Sequence, residues 1–354
     1  MQRAIMILVA AASAAGCGGT GIDGGGGGDL AVGADMAGMT DMPTSSPDLA
    51  PVLTPACAPA GGAMHAQYVW SDILVPMQRS DYAIDLNGDG RVDNQLGNIE
   101  GALAGQNIPV QAQATQSVTS GQSLTLVDEH AADLTTADCA AADVEAATAM
   151  ASPDFSGAGH FTVDSSGKVG HFAGAIVAGK FSSQPPSVST TPVIVTLKLP
   201  LLGAVTTVDV VGAHVQYTRG ADGKVSGGQL NGAIRNGDVQ TKLVPNIAVA
   251  LTAEVQADPG SSTTMQILSI FDTGGKADAS CSAGTCKNPD SSCAVAHDNK
   301  IDTCEVASNG LIQNVLAPDV QLFDSAGNYH PNPDNTMKDS LSIGVAFAAV
   351  PATF

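Results

Sequence analysis

The chain has few aromatic residues and few cations. Phe, Trp and Tyr together make 4% of it, with a single tryptophan, and 14 Lys and Arg face 34 Asp and Glu. A formal net charge of −20 argues against nucleic-acid binding and against unaided attachment to anionic lipid. It suits divalent cations and solubility outside the cytoplasm. Catalytic signatures are missing as well: the sequence holds no nucleophile elbow, His-Glu-x-x-His motif, phosphate loop or dinucleotide fingerprint. No catalytic residue is therefore assigned, and an enzyme whose site carries no recognisable motif stays a secondary reading.

The N-terminus reads as an address. "MQRAIMILVAAASAAGC" places one cation, Arg3, before an apolar run from Ala4 to Ala12, and small residues lead to Cys17. The run is too short to span a bilayer, so residues 1–16 read as a secretory signal. From Gly18 to Gly28, eight of eleven positions are glycine, and "DLAVGADMAGMTDMPTSSPDLAP" follows. This composition cannot bury enough apolar surface to offset ordering entropy, which predicts a disordered spacer through residue 55 with a reach of roughly 35 Å. "AAGC" followed by a glycine tract resembles the lipobox of bacterial lipoproteins, and the Asp-Leu and Asp-Met pieces resemble spacers in bacterial surface lipoproteins. The resemblance implies a lipid on Cys17, export, and a membrane partner through that anchor. Gly18 is not the aspartate that retains such proteins at the inner membrane, which favours the outer membrane.

Beyond Cys17 lie six cysteines: Cys57, Cys139, Cys281, Cys286, Cys293 and Cys304. An even number in an exported chain points to up to three disulfides, with the pairing open. The last four, with four, six and ten residues between them, lack the paired short spacings of a zinc knuckle, so disulfides are favoured over zinc.

Residues 56–354 read as mainly β. "VIVTLKL" alternates, as does "TTVDVVGAHVQYTR" with a phase change at Val210–Val211 that marks a bulge. "GHFTVDSSGKVGHFAGAIVAGKF" reads as two strands around a turn at Asp164–Lys168. Asp222-Gly223 turns another hairpin, and "SLSIGVAFAAV" is a closing strand. Three helical faces accompany them: Leu96/Ile99/Leu103, the four-residue repeat from Val239 to Val255 with Pro245 expected to kink or divide it, and Glu305 to Leu316. The expectation is a β-sandwich or jelly roll with a few helices, packed on Val, Leu and Ala, with Tyr68 and Trp70 as core or edge residues.

The most informative stretch is "DLNGDGRVDNQLG". Asp85, Asn87, Asp89 and Asp93 alternate around Gly88 and Gly90, and Arg91 offers its carbonyl. A hard cation needs six to eight oxygens, and a sharp turn at Gly90 lets alternate side chains converge on one point. Over its first nine positions this loop, residues 85–96, resembles EF-hand, dockerin and thrombospondin-type calcium loops. Position 12 is Leu96 where that family has a bidentate acid. The resemblance implies weak calcium binding, on the order of 10⁻⁴–10⁻³ M, with Asp81, Asn98 or Glu100 as candidates to complete the shell.

A second stretch, residues 294–305, keeps the other half of the pattern. Asp298, Lys300, Asp302 and Glu305 fall at positions 5, 7, 9 and 12, but Ala294 and Ala296 stand at 1 and 3. The two loops are expected to pair through a bridge between Val92 and Ile301. His160, His171 and His214, on predicted strands, are a weaker zinc candidate. The reading is a calcium-binding cell-envelope lipoprotein in which calcium is structural. A calcium-ordered adhesin, with a glycan or protein ligand, is the alternative.

Overall fold

The computed structural model describes residues 64–105, 109–149, 152–201, 204–274 and 286–354. The signal segment, Cys17, the spacer, Cys57 and Cys281 lie outside the described residues.

Eleven strands form one sheet: β1 (Met64–Leu74), β2 (Leu124–Ala131), β3 (Ala137–Thr148), β4 (Gly159–His160), β5 (Thr162–Val163), β6 (Gly170–Val177), β7 (Lys180–Ser183), β8 (Ile194–Leu201), β9 (Ala204–Arg219), β10 (Val225–Arg235) and β11 (Ser340–Thr353). Eight of them run antiparallel in the order β1-β2-β3-β6-β7-β9-β10-β11, and β11 returns to β1, with Tyr68 opposite Pro351 and Ile73 opposite Phe347. The architecture is thus a closed barrel and not the expected sandwich or jelly roll. β11, 14 residues long, pairs along both of its edges, so no open edge remains between the ends of the sheet.

Alternation places the side chains. β6 reads buried–exposed along nearly its whole length, with Phe172 and Ile176 inside. The scarce aromatics gather in the lumen. Trp70 stacks on Phe347 at 4.2 Å between ring centroids, Phe181 on Tyr217 at 5.2 Å, and Tyr68 meets Tyr217 edge-on at 6.4 Å. β1 and β9 are not neighbours, so the last contact crosses the barrel. The bulge in β9 is present: Asn231 opposes His214 and Ala233 opposes Val211, leaving one extra residue at Gly212, whose φ is +58°. The Asp222-Gly223 turn joins β9 to β10, with the Gly223 N–H donating to the Gly220 carbonyl at 3.0 Å. Around Asp164–Lys168 the chain turns as expected, but β5 and β6 both pair with β3 instead of with each other.

The helices are α1 (Gln95–Gly105), α2 (Val110–Thr119), α3 (Val244–Ala257), α4 (Ser262–Phe271), α5 (Thr303–Ser308) and α6 (Gly310–Val315). Pro245 does not divide its helix. A π turn over Val239–Leu243 runs into α3, and this wider turn makes room where the proline ring meets the preceding turn and no N–H is available. The Glu305–Leu316 helix is split at Asn309, whose ψ of 118° is extended. Leu96 and Ile99 of α1 are buried in the main core.

Candidate metal centre

Asp85 sits where the chain leaves the short bridge that pairs Ile84 with Asp93. Its Oδ1 accepts the N–H groups of Gly88 at 2.6 Å and Asp89 at 3.2 Å, and its Oδ2 that of Gly90 at 2.8 Å. Gly88 and Gly90 hold φ of +85° and +79°, which turns successive N–H groups to one side. Asn87 Oδ1 accepts the Asp89 N–H at 3.2 Å, while its amide donates to the Asn332 carbonyl at 3.2 Å. Asp89 Oδ1 accepts the Arg91 N–H at 2.8 Å. Asp85, Asn87, Asp89 and the Arg91 backbone therefore share one tight turn.

Asp93 faces the other way. It is 2% exposed, its Oδ2 accepts the Leu86 N–H at 3.1 Å, and its Oδ1 lies 3.5 Å from the Arg79 guanidinium, which also reaches Asp319 at 3.3 Å. Burial pushes the Asp93 carboxyl up to about 7, the Leu86 N–H opposes this, Asp319 and Asp89 add to it, and Arg79 opposes it. Asp319 in turn accepts the Ser342 N–H and hydroxyl, both at 2.7 Å, which fixes the loop to the start of β11. Asn94 strengthens that seat by exchanging hydrogen bonds with both backbone groups of Gly344 at 3.0 Å.

The candidates for the missing ligand are engaged elsewhere. Asp81 Oδ2 accepts the Met77 and Gln78 N–H groups at 2.9 Å, and Asn98 donates to Gln95 at 2.9 Å along α1. Glu100 is buried at 1% exposure.

The second loop repeats the first with one substitution of origin. Position 1 is Ala294, but a carboxylate is present: Asp272, at the C-terminal end of α4 and 2% exposed. Its Oδ1 accepts the His297 N–H and the Asp298 N–H (3.2 Å), and its Oδ2 accepts the Asn299 N–H at 2.9 Å. These are positions 4, 5 and 6, bound oxygen for oxygen as Asp85 binds them in the first loop. His297 and Asn299 each take φ of +62°, matching Gly88 and Gly90. Asp298 Oδ1 accepts the Lys300 N–H at 2.9 Å, as Asp89 does for Arg91.

Asp302 is the N-cap of α5, and the Lys300 ammonium lies 2.6 Å from its Oδ1, a contact that raises the lysine's proton affinity. Glu305, 1% exposed, accepts the Asp302 N–H at 2.8 Å and the Gly274 N–H at 2.7 Å. Burial raises its carboxyl, those two N–H groups oppose the shift, and the charges of Asp272 and Asp302 add to it.

The expected bridge between the loops does not form. Val92 is 47% exposed, whereas Ile301 is buried and both its N–H and its carbonyl are taken by the Thr252 hydroxyl of α3, at 3.0 and 2.9 Å. Cys286 and Cys304 are joined as a disulfide, and Cys139 and Cys293 are also disulfide-bonded, so zinc at this cluster is set aside. The three strand histidines do not gather. His214 is 5% exposed and its imidazole is pushed down to about 4 by burial; His171 contacts Asp143 at 2.8 Å on the outer wall, and His160 contacts Thr353. Among the described residues no three His, Cys, Asp or Glu side chains converge as a metal cluster.

Asp272 and Asp319 were invisible to the sequence pattern because each comes from another element. The available signal was the Gly-like pair His297/Asn299 flanking Asp298 with no acid in front of it. Comparison with protein-family models, with curated proteins and with solved structures finds no match to this chain.

Proposed function

We propose that the protein is an exported, calcium-stabilised lipoprotein of the cell envelope, tethered through a lipid on Cys17, in which calcium orders the two acidic loops. The observation that carries this reading is the shared hydrogen-bond signature: a carboxylate accepting the N–H groups of positions 4, 5 and 6, with left-handed residues at 4 and 6, in both loops. Such a turn brings alternate side-chain oxygens and the position-7 carbonyl toward one point, which is what a hard cation requires. The first loop offers Asp85, Asn87, Asp89 and the Arg91 carbonyl. The second offers Asp272, Asp298, the Lys300 carbonyl, Asp302 and Glu305, with calcium displacing the Lys300 ammonium from Asp302. A backbone carbonyl belongs to each set, joined in the first loop by the Asn87 amide oxygen, so side-chain acids alone do not describe it.

Thermal melting with and without calcium tests the proposal. At 10 mM calcium and a dissociation constant of a few tenths of a millimolar, binding adds about 2 kcal/mol, or several degrees in Tm. Asp89→Ala and Asp298→Ala each lower that shift. Identical melts in millimolar calcium and in chelator, with both variants behaving like the parent chain, would sink the reading.

A further inference from the structure

The other end of the barrel carries polar groups that the calcium loops do not use. β2 and β9 stand opposite each other in the ring of eight strands, with three strands between them on either side. From β2, Glu129 reaches into the lumen at 1% exposure; from β9, Arg219 reaches toward it, and their charged atoms lie 3.8 Å apart. That separation is too long for a hydrogen bond. Tyr217, itself buried, faces the same carboxylate, and its hydroxyl acts on Glu129 as a hydrogen-bond donor that opposes the effect of burial. The Trp70 indole N–H and the Thr125 hydroxyl are buried with no hydrogen-bond partner among the described residues. Burial raises the Glu129 carboxyl, with Arg219 opposing the shift. A lumen that served only as core would be cheaper to fill with apolar side chains, because buried charges and unpaired donors cost free energy that packing does not return.

A cavity of ≈410 Å³ at the rim is lined by His65, Gln67, Tyr68, Arg219 and Pro351, among others. Mouths of small barrels are common ligand sites, and this volume lies in the range that holds a small molecule. The chemistry of the rim narrows the class. Glu129 already opposes Arg219, so an anion on the guanidinium would leave a buried carboxylate facing a second negative charge, and a cation would meet Arg219. A neutral molecule with both donors and acceptors meets neither penalty. Its hydroxyls can take the spare N–H groups of Arg219 and the amide of Gln67, while Pro351 offers an apolar face to C–H groups.

We propose that this mouth binds a neutral, polyhydroxylated ligand the size of one or two sugar rings. It stands apart from the calcium reading: the acidic loop is seated on Ser342 and Gly344 near the start of β11, whereas Pro351 lies near its end. Trp70, the only tryptophan in the chain, lies two residues further along β1 from Tyr68 and reports on the lumen.

The test titrates the full chain with methyl α-glucoside, N-acetylglucosamine and lactose, following Trp70 fluorescence and the heat of binding. Glucosamine and glucuronate serve as charged arms. The expected result is a saturable change with at least one neutral sugar, at a dissociation constant of about 1 mM, weakened about tenfold by Gln67→Ala and by Arg219→Lys. Arg219→Lys keeps a cation opposite Glu129, and Gln67 lies at the rim, so the two variants do not share one route to misfolding. Failure of every neutral sugar to saturate up to about 100 mM overturns the proposal. So does saturation by glucuronate or glucosamine alone, or neutral-sugar binding that both variants leave unchanged.

Discussion

Three successive backbone N–H groups turned to one side make a concave site for an anion, and the chain can fill it from any direction. Asp85 fills the first such site from four residues or so upstream; Asp272 fills the second from the end of a different helix. Among the described residues neither carboxylate forms an ion pair, and backbone N–H groups hold each one. Asp272→Ala should strip the N–H groups of residues 297–299 of their acceptor in a buried setting and cost about 2–4 kcal/mol in a urea melt. Asp272→Asn keeps the shape and one carbonyl oxygen, and should cost less than half as much. Equal losses for the two variants would mean that Asp272 acts through packing and not through its two oxygens. This residue was illegible from the sequence because the motif is written with alanine at position 1, and no local spacing points from Ala294 to the end of α4.

At the scale of elements, the first loop depends on how closely α1 lets the preceding chain approach. A Cβ added at Gly97 would lie 2.1 Å from the Gln78 carbonyl oxygen, a backbone atom that cannot swing aside. Gln78 also anchors the Asp81 turn, and Arg79 beside it bridges Asp93 and Asp319. Gly97→Ala, otherwise favourable in a helix, should therefore destabilise the protein by about 3 kcal/mol and reduce the calcium-dependent Tm shift, as read by melting in calcium and in chelator. A gain in stability would show that the helix can slide away from the 77–81 segment. The apolar stripe of α1 was readable, since Leu96 and Ile99 recur at helical spacing. The glycine's role was not, because its partner is a carbonyl and carbonyls leave no mark in a sequence.

For the molecule as a whole, alternation named most of the wall. β6 and β9 were legible because each buries mainly one face, β11 because large apolar residues alternate with small ones although both of its faces are buried, and the Asp222-Gly223 turn because its chemistry is local. Closure was not legible: β1 and β11 stand at opposite ends of the described chain, and nothing in either strand specifies the other as its neighbour. The same closed wall buries His214, whose imidazole is pushed down to about 4 from an ordinary 6.5. The unfolded chain binds that proton more readily than the folded one, so the cost appears as pH falls below 6.5 and is complete near 4. His214→Gln should thus lose less stability than the parent chain across that window, with a difference on the order of 3 kcal/mol between chemical melts at the two limits. Parallel pH profiles for the two chains would place the acid sensitivity elsewhere.

Calcium is the most direct test of the central claim. Calorimetric titration of the full chain near neutral pH should give saturable binding at roughly 10⁻⁴–10⁻³ M, reduced in Asp85→Ala, reduced in Asp272→Asn, and abolished when the two are combined. A chain that takes up no calcium at about 10 mM, or one whose binding survives the combined variant intact, contradicts the account.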